Sequence, residues 1–197
     1  MTTHRTTMSR DFATSCTDAQ TFVIADLHFG DEGTCVEGRR PFRDATEMGD
    51  EIERRWNEVV GDDDTVLVLG DVGRRHHALR VGQLKGQIHL IAGNGDDIEG
   101  IALRKLFASI AVARWQHGFL FTHIPVHPSQ LGKQTINVHG HLHGTRIDDP
   151  RYRCVSVEQT EFAPVRLNSL RADWGMKPRS GRSGGAPATV RRVGLGE

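Results

Sequence analysis

Three histidines stand at alternate positions in the stretch Val138-His139-Gly140-His141-Leu142-His143-Gly144. An extended chain has a side-chain period of two, so all three would lie on one side of it. Crowded imidazoles make a poor hydrophobic core and a poor solvated face, but neutral imidazoles are good metal ligands. Other groups of the same kind recur along the chain. Asp26 with His28, then Asp71, Asn94 and His123, each fall at or just beyond the end of a short apolar run. Hard carboxylate and amide oxygens combined with imidazoles, and no thiolate, suit manganese, iron, zinc or a similar ion. One such aspartate alone is ordinarily a turn residue, and one such histidine an ordinary polar group. Five strand ends supplying the same ligand chemistry point instead to a shared site.

Strands must carry these groups. TFVIAD (21–26), TVLVLGD (65–71) and QIHLIAGN (87–94) are apolar runs ending in a polar residue, as strands buried on both faces would be. SIAVARWQ (109–116) and GFLFTH (118–123) predict two strands joined by a tight turn at His117-Gly118, and TINVHGHLHG (135–144) and RYRCVSVE (151–158) complete the set. Asp44 followed by Glu47 resembles a capping box. Met48, Ile52, Trp56, Val59 and Val60 follow at helical spacing, which predicts an amphipathic helix over 45–60. Shorter helices are expected around 76–84 and 99–107. Helix–strand alternation first and strand clustering later indicate a layered α/β sandwich with a mixed sheet. In such folds, sites assemble at the carboxyl ends of the strands.

The chain has 197 residues and equal numbers of basic and acidic side chains, 25 of each. No global field therefore draws it toward nucleic acid or a membrane. Three cysteines (Cys16, Cys35 and Cys154) lack CxxC spacing, which argues against a disulfide framework or a zinc ribbon. No apolar run approaches the roughly 20 residues that span a bilayer, and residues 1–20 have no signal-peptide core. A cytoplasmic protein without a membrane partner is the expectation. Residues 1–20 are expected to form a flexible leader, 21–172 the folded domain, and 173–197, rich in Gly and Arg, a disordered basic tail.

The order Asp26-Leu27-His28, Gly70-Asp71, Gly93-Asn94, Thr122-His123, Gly140-His141-Leu142-His143 resembles the calcineurin-like metallophosphoesterase superfamily. The resemblance covers residues from about 21 to 143. The stretches ADLHFGDEG, RRPF (39–42) and ERRWNEVVGDDDTVLVLGD, with the closing SVEQTEFAPVRL, are similar to a small bacterial and phage-associated branch of stand-alone phosphoesterases. The resemblance implies a four-layer α-β-β-α sandwich holding two divalent metal ions, which would be manganese, iron or zinc. It implies that Asp26, His28, Asp71 and His143 hold one ion. Asp71 would bridge, and Asn94, His123 and His141 would complete the second site. His139 matches no ligand position and is expected to pack nearby. The implied reaction is phosphate-ester hydrolysis, in which metals about 3.5–4 Å apart activate a bridging water for in-line attack.

One position departs from the superfamily's pattern. The third strand usually ends in Gly-Asn-His-Asp, and this chain reads Gly93-Asn94-Gly95-Asp96. The missing imidazole normally contacts the scissile phosphate or assists the leaving group. Its absence shifts the expected substrate from alkyl monoesters toward diesters, such as a cyclic nucleotide or a small nucleotide derivative. His76 is a candidate for the missing acid, beside His77 and His127. Asp96 is expected either to order water or to cap the next helix. Arg40 and Arg43, around Pro41-Phe42, are candidate phosphate clamps. A metal-dependent nuclease is the alternative, and it requires a basic track and strong salt dependence. The neutral net charge weighs against it, and the arginine-rich tail weighs for it. A third reading is a non-catalytic scaffold, but scaffolds tend to lose ligands and this chain keeps all seven matching positions.

Overall fold

The apolar runs become strands, and TFVI (21–24), TVLV (65–68) and FLFT (119–122) are buried on both faces. The computed structural model describes residues 21–73, 75–98, 100 and 105–171. Its elements are β1 (Thr21–Ile24), α1 (Glu32–Glu37), α2 (Ala45–Val59), β2 (Thr65–Val68), β3 (Gln87–Ile91) and β4 (Ser109–Ala111). Then follow β5 (Ala113–Gln116), β6 (Phe119–Thr122), β7 (Ile136–His139), β8 (Tyr152–Cys154) and β9 (Val165–Arg166). One sheet has the order β4-β3-β2-β1-β9, with β9 antiparallel to its neighbour and the rest parallel. The other runs β5-β6-β7-β8, antiparallel only between β5 and β6. Both sheets are mixed, as the layered α/β reading requires.

Period-two alternation sorts the side chains of β1–β3 between two cores. Phe22, Ile24, Val66, Val68, Ile88 and Leu90 face α2. Val23, Ala25, Leu67, Leu69 and Ile91 meet Phe119, Phe121 and Val138 of the second sheet. Met48, Ile52 and Trp56, spaced by four on α2, are fully buried in the first of these cores. The Asp44 carboxylate caps α2 by accepting from the Glu47 N–H at 2.8 Å. Glu47 reaches back one residue further than a capping box requires, accepting from the Arg43 N–H at 2.6 Å. On the outer face of the second sheet, Leu120, Leu131 and Tyr152 are covered by Val126 and Ile147. Among the described residues, the cover there is loop and a 3-10 turn over Pro128–Gln130.

Three local expectations change. SIAVARWQ is two strands in different sheets: the chain leaves β4 at Val112, 78% exposed, and enters β5 as an edge strand. A continuous alternating pattern conceals this because each half is extended. The segment expected as a helix over 76–84 is a 3-10 helix, Arg75–Gln83, with Ala78 and Val81 in the α2 core. α1 is an additional helix, capped by Asp31, whose carboxylate accepts from the Thr34 N–H at 3.1 Å. It buries only Cys35, too little to leave a periodic signal. The leader 1–20, the tail 173–197 and most of the expected helix 99–107 lie outside the described residues. Among the described residues, no helix is long and apolar enough to cross a membrane.

Two outcomes follow from this packing. Trp56 is fully buried and its indole N–H donates to the Lys85 carbonyl at 2.9 Å. Trp56→Ala should cost about 3–5 kcal/mol in a denaturant titration, the usual range for emptying such a site. His139 is also fully buried, edge-on to Tyr152, with burial holding its pKa to about 4. The unfolded chain takes up that proton near pH 6.5, so stability should fall as pH drops from there to about 4. His139 should account for up to about 3 kcal/mol of that loss. In chelator, wild type should therefore lose more stability between pH 7 and pH 4.5 than His139→Leu. Equal losses would show that His139 does not carry the effect.

Candidate metal centre

Backbone pairing beyond the strand ends fixes where the chemical groups stand. The Asp26 N–H donates to the Gly70 carbonyl at 3.0 Å and the His28 N–H to the Asp71 carbonyl at 2.9 Å. The loops after β1 and β2 are thus zipped together. The Gly140 N–H donates to the His123 carbonyl at 3.0 Å, which ties the loops after β6 and β7 in the same way. Five of the seven expected ligands have left-handed backbone: Asp26, His28, Asp71, His141 and His143, with φ from 49° to 70°. That region is uncommon for residues with a side chain and costs of order 1 kcal/mol each. Close packing adds to the constraint. A Cβ on Gly140 would lie 2.6 Å from the Asp26 carboxylate.

The result is two groups of potential ligands with one member in common. Asp26, His28 and His143 form one, Asp26, Asp71 and His123 the other, each with its donor atoms within 4.8 Å of one another. Asp71 lies between the groups, with Oδ1 3.6 Å from His123 Nε2 and Oδ2 3.6 Å from His28 Nε2. Asn94 and His141 lie beside the second group, with Asn94 Oδ1 3.0 Å and His141 Nδ1 3.3 Å from His123 Nε2.

The arrangement of lone pairs tests whether cations fit. His123 Nδ1–H donates to the Leu69 carbonyl at 2.8 Å, which leaves Nε2 as a lone pair. Facing that lone pair are the oxygens of Asn94 and Asp71, both acceptors. His28 turns Nδ1 toward the Asp31 carboxylate, 3.4 Å away, while its buried Nε2 has no hydrogen-bond partner. Buried acceptors aimed at one another are costly unless a cation lies among them. The donor set fits divalent ions. Burial, followed by the Arg40 charge, holds the His28 pKa to about 4, so it is a neutral donor at pH 7. Burial also raises the Asp26 carboxyl above its usual range, despite the opposing hydrogen bond from Ser156.

The remaining sequence candidates stand elsewhere. Arg40 is not available as an open phosphate clamp: it is buried and binds Glu158 and the carbonyls of Asp26 and Leu27. Arg43 is exposed and pairs with Asp44. Asp96 is engaged by backbone, and the helix it was expected to cap lies mostly outside the described residues. Its carboxylate accepts from the N–H groups of Asp71, Val72 and Gly93 at 2.8–3.1 Å, binding two ligand loops together. His76 stacks on His77 beside a cleft that also contains Phe29, Glu32 and Thr46, apart from the ligand groups. His127 caps the 3-10 turn at 128–130.

Two supporting residues escaped the sequence reading. Ser156 donates its hydroxyl to Asp26 at 2.6 Å. Glu158 accepts from His143 Nδ1 at 2.8 Å, which leaves Nε2 as the donor to a cation and raises the His143 pKa. Both lie just past the end of β8, where the rule that found Asp26 would also have found them. Loss of the Glu158 carboxylate should lower metal affinity by about 10–100-fold. In manganese titrations, Glu158→Gln should weaken one site, whereas Asp71→Asn should weaken both. Equal binding by wild type and Asp71→Asn would count against this ligand set.

Comparison with known proteins gives relatives at two levels. No protein-family model matches the chain. An uncharacterised protein of Methanocaldococcus jannaschii, MJ1445, is 29% identical over 162 residues, covering 76% of this chain and 88% of that protein. The gene 66 protein of mycobacterium phage L5 is 35% identical over 78 residues, covering 40% of this chain and 34% of that protein. Among solved structures, the protein of unknown function AQ665 from Aquifex aeolicus superposes with a TM-score of 0.60 at 20% identity. That match covers 77% of this chain and 97% of AQ665. At this identity the likeness establishes a common fold, and function has to be argued from the site.

Proposed function

We propose that the protein is a metal-dependent phosphoesterase that binds two divalent ions and hydrolyses phosphodiesters of the nucleotide type. The observation that carries this reading is the pair of ligand groups joined through Asp26, with one oxygen of Asp71 toward each histidine. Bound there, the ions would supply Lewis acidity toward phosphoryl oxygens and lower the pKa of water. Asp26, Asp71, His28 and His143 would hold one, and Asp71, Asn94, His123 and His141 the other. The protein's own part is to keep those donors aimed. Leu69, Asp31 and Glu158 do so by engaging the opposite nitrogens of His123, His28 and His143.

Gly95, in the loop after β3, has no side chain to supply an acid to the leaving group. The Gly95 N–H donates to Asp71 Oδ1 at 2.8 Å, drawing the backbone against the carboxylate. A Cβ at this position would lie 3.0–3.4 Å from the Asp71 carboxyl atoms, so a histidine there would press on a ligand. Glycine is what permits the close approach. Without an imidazole at 95, turnover depends on how well the departing oxygen bears charge.

General acid catalysis is typically worth about 10²–10⁴-fold. Manganese-loaded protein should therefore hydrolyse an aryl diester, bis(p-nitrophenyl) phosphate, faster than an alkyl monoester by a factor in that range. Chelator should abolish both activities. Equal rates on the two substrates would mean that another group supplies the proton, and activity that survives chelation would overturn the metal-dependent reading.

A further inference from the structure

A small cleft of about 350 Å³ begins where the second ligand group ends. Asn94 and His123 belong to both: their polar atoms face the ligand group, and the residues also line the cleft. The other walls are supplied by Ile98, Val112 and Ile124, with Gly93 and Thr122 between. The three apolar side chains are 38%, 78% and 52% exposed. Each comes from a different connection: the loop after β3, the crossing from β4 to β5, and the residue after His123. Apolar side chains converging from three loops beside a charged centre form a surface that gains from being covered. The volume is at the lower end of small-molecule sites, which run from about 300 to 1,000 Å³. Among the described residues, no lysine, arginine, aspartate or glutamate lines it, so these walls offer no counter-charge to a second phosphate or a cationic group.

We infer that this cleft binds the organic substituent of the phosphate ester, and that the substituent is a planar aromatic group. The inference rests on the phosphoesterase reading and adds the substrate class to it. A phosphoryl group at Asn94 and His123 places its ester oxygen beside Ile124 and Val112, whose side chains cover the flat faces of a ring. A short alkyl ester would leave most of the apolar wall in water.

Substrate-like acids without a leaving group separate binding from turnover. Titration of manganese-loaded protein with phenylphosphonate and methylphosphonate, followed by calorimetry, reads the cleft directly. Burying most of one phenyl ring should make the aryl compound bind about tenfold tighter or more. In the Val112→Ser/Ile124→Ser double variant, with an unchanged melting transition, the ratio should fall to about twofold. Equal affinities in wild type, or a preference that survives in the double variant, would overturn the cleft assignment alone. Failure of both phosphonates to bind in the presence of manganese would overturn the phosphoesterase reading beneath it. A gain of similar size from deoxyribose 5-phosphate to thymidine 5′-phosphate assigns the cleft to a nucleobase. A phenyl preference without that gain assigns it to a directly esterified aryl group.

Discussion

The buried carboxylate of Asp26 is the point at which the two sheets are joined. It stands just past β1 in the first sheet and accepts hydrogen bonds from the His141 N–H and the Ser156 hydroxyl, both in loops of the second sheet. The backbone repeats the junction, since the Ala25 N–H donates to the Val155 carbonyl at 2.9 Å. Among the described residues, no arginine or lysine neutralises this carboxylate directly. Burying it without a cation is unfavourable, and its raised pKa expresses that cost. A divalent ion would reverse the balance, so the same carboxylate can organise the fold and hold the ion.

Support for the centre comes from groups that never face it. Asp96 satisfies three backbone N–H groups from two loops. Arg40 lies under the loop after β1 and joins its carbonyls to Glu158, which in turn holds His143. Removal of either partner of a buried ion pair strands the other charge, which is far more damaging than the net worth of the pair suggests. Such residues fix the geometry of the candidate ligands, and an ion held there would depend on them as well as on the ligands.

The buried strands and the polar residues at their ends were legible in the sequence because they depend on local signals. A buried strand reads as an apolar run, and a polar residue at its end is conspicuous. What could not be read depends on contacts between distant segments. The division of SIAVARWQ between two sheets is decided by what each half pairs with, β3 on one side and β6 on the other. Arg40 and Asp96 have the right chemistry for a site, but they are held in part by partners 118 and 24–25 positions away in the chain. Spacing alone cannot show that these side chains are already engaged. Gly95 is a similar case, for the missing imidazole was evident and the tight approach to Asp71 was not.

The left-handed backbone at five expected ligands restricts which amino acids can occupy them, independently of metal chemistry. Asp, Asn and His are several-fold enriched in that conformation among residues with a side chain, and β-branched residues are strongly disfavoured there. Aspartate and histidine at these positions therefore meet two separate requirements at once. Glutamate offers the same charged oxygens as aspartate, yet it lacks the short side chain that eases this backbone, and it would carry its carboxylate past the point where the loops converge. Accessible sequence variation at the centre is narrowed to a few residue types by conformation before any ion is bound.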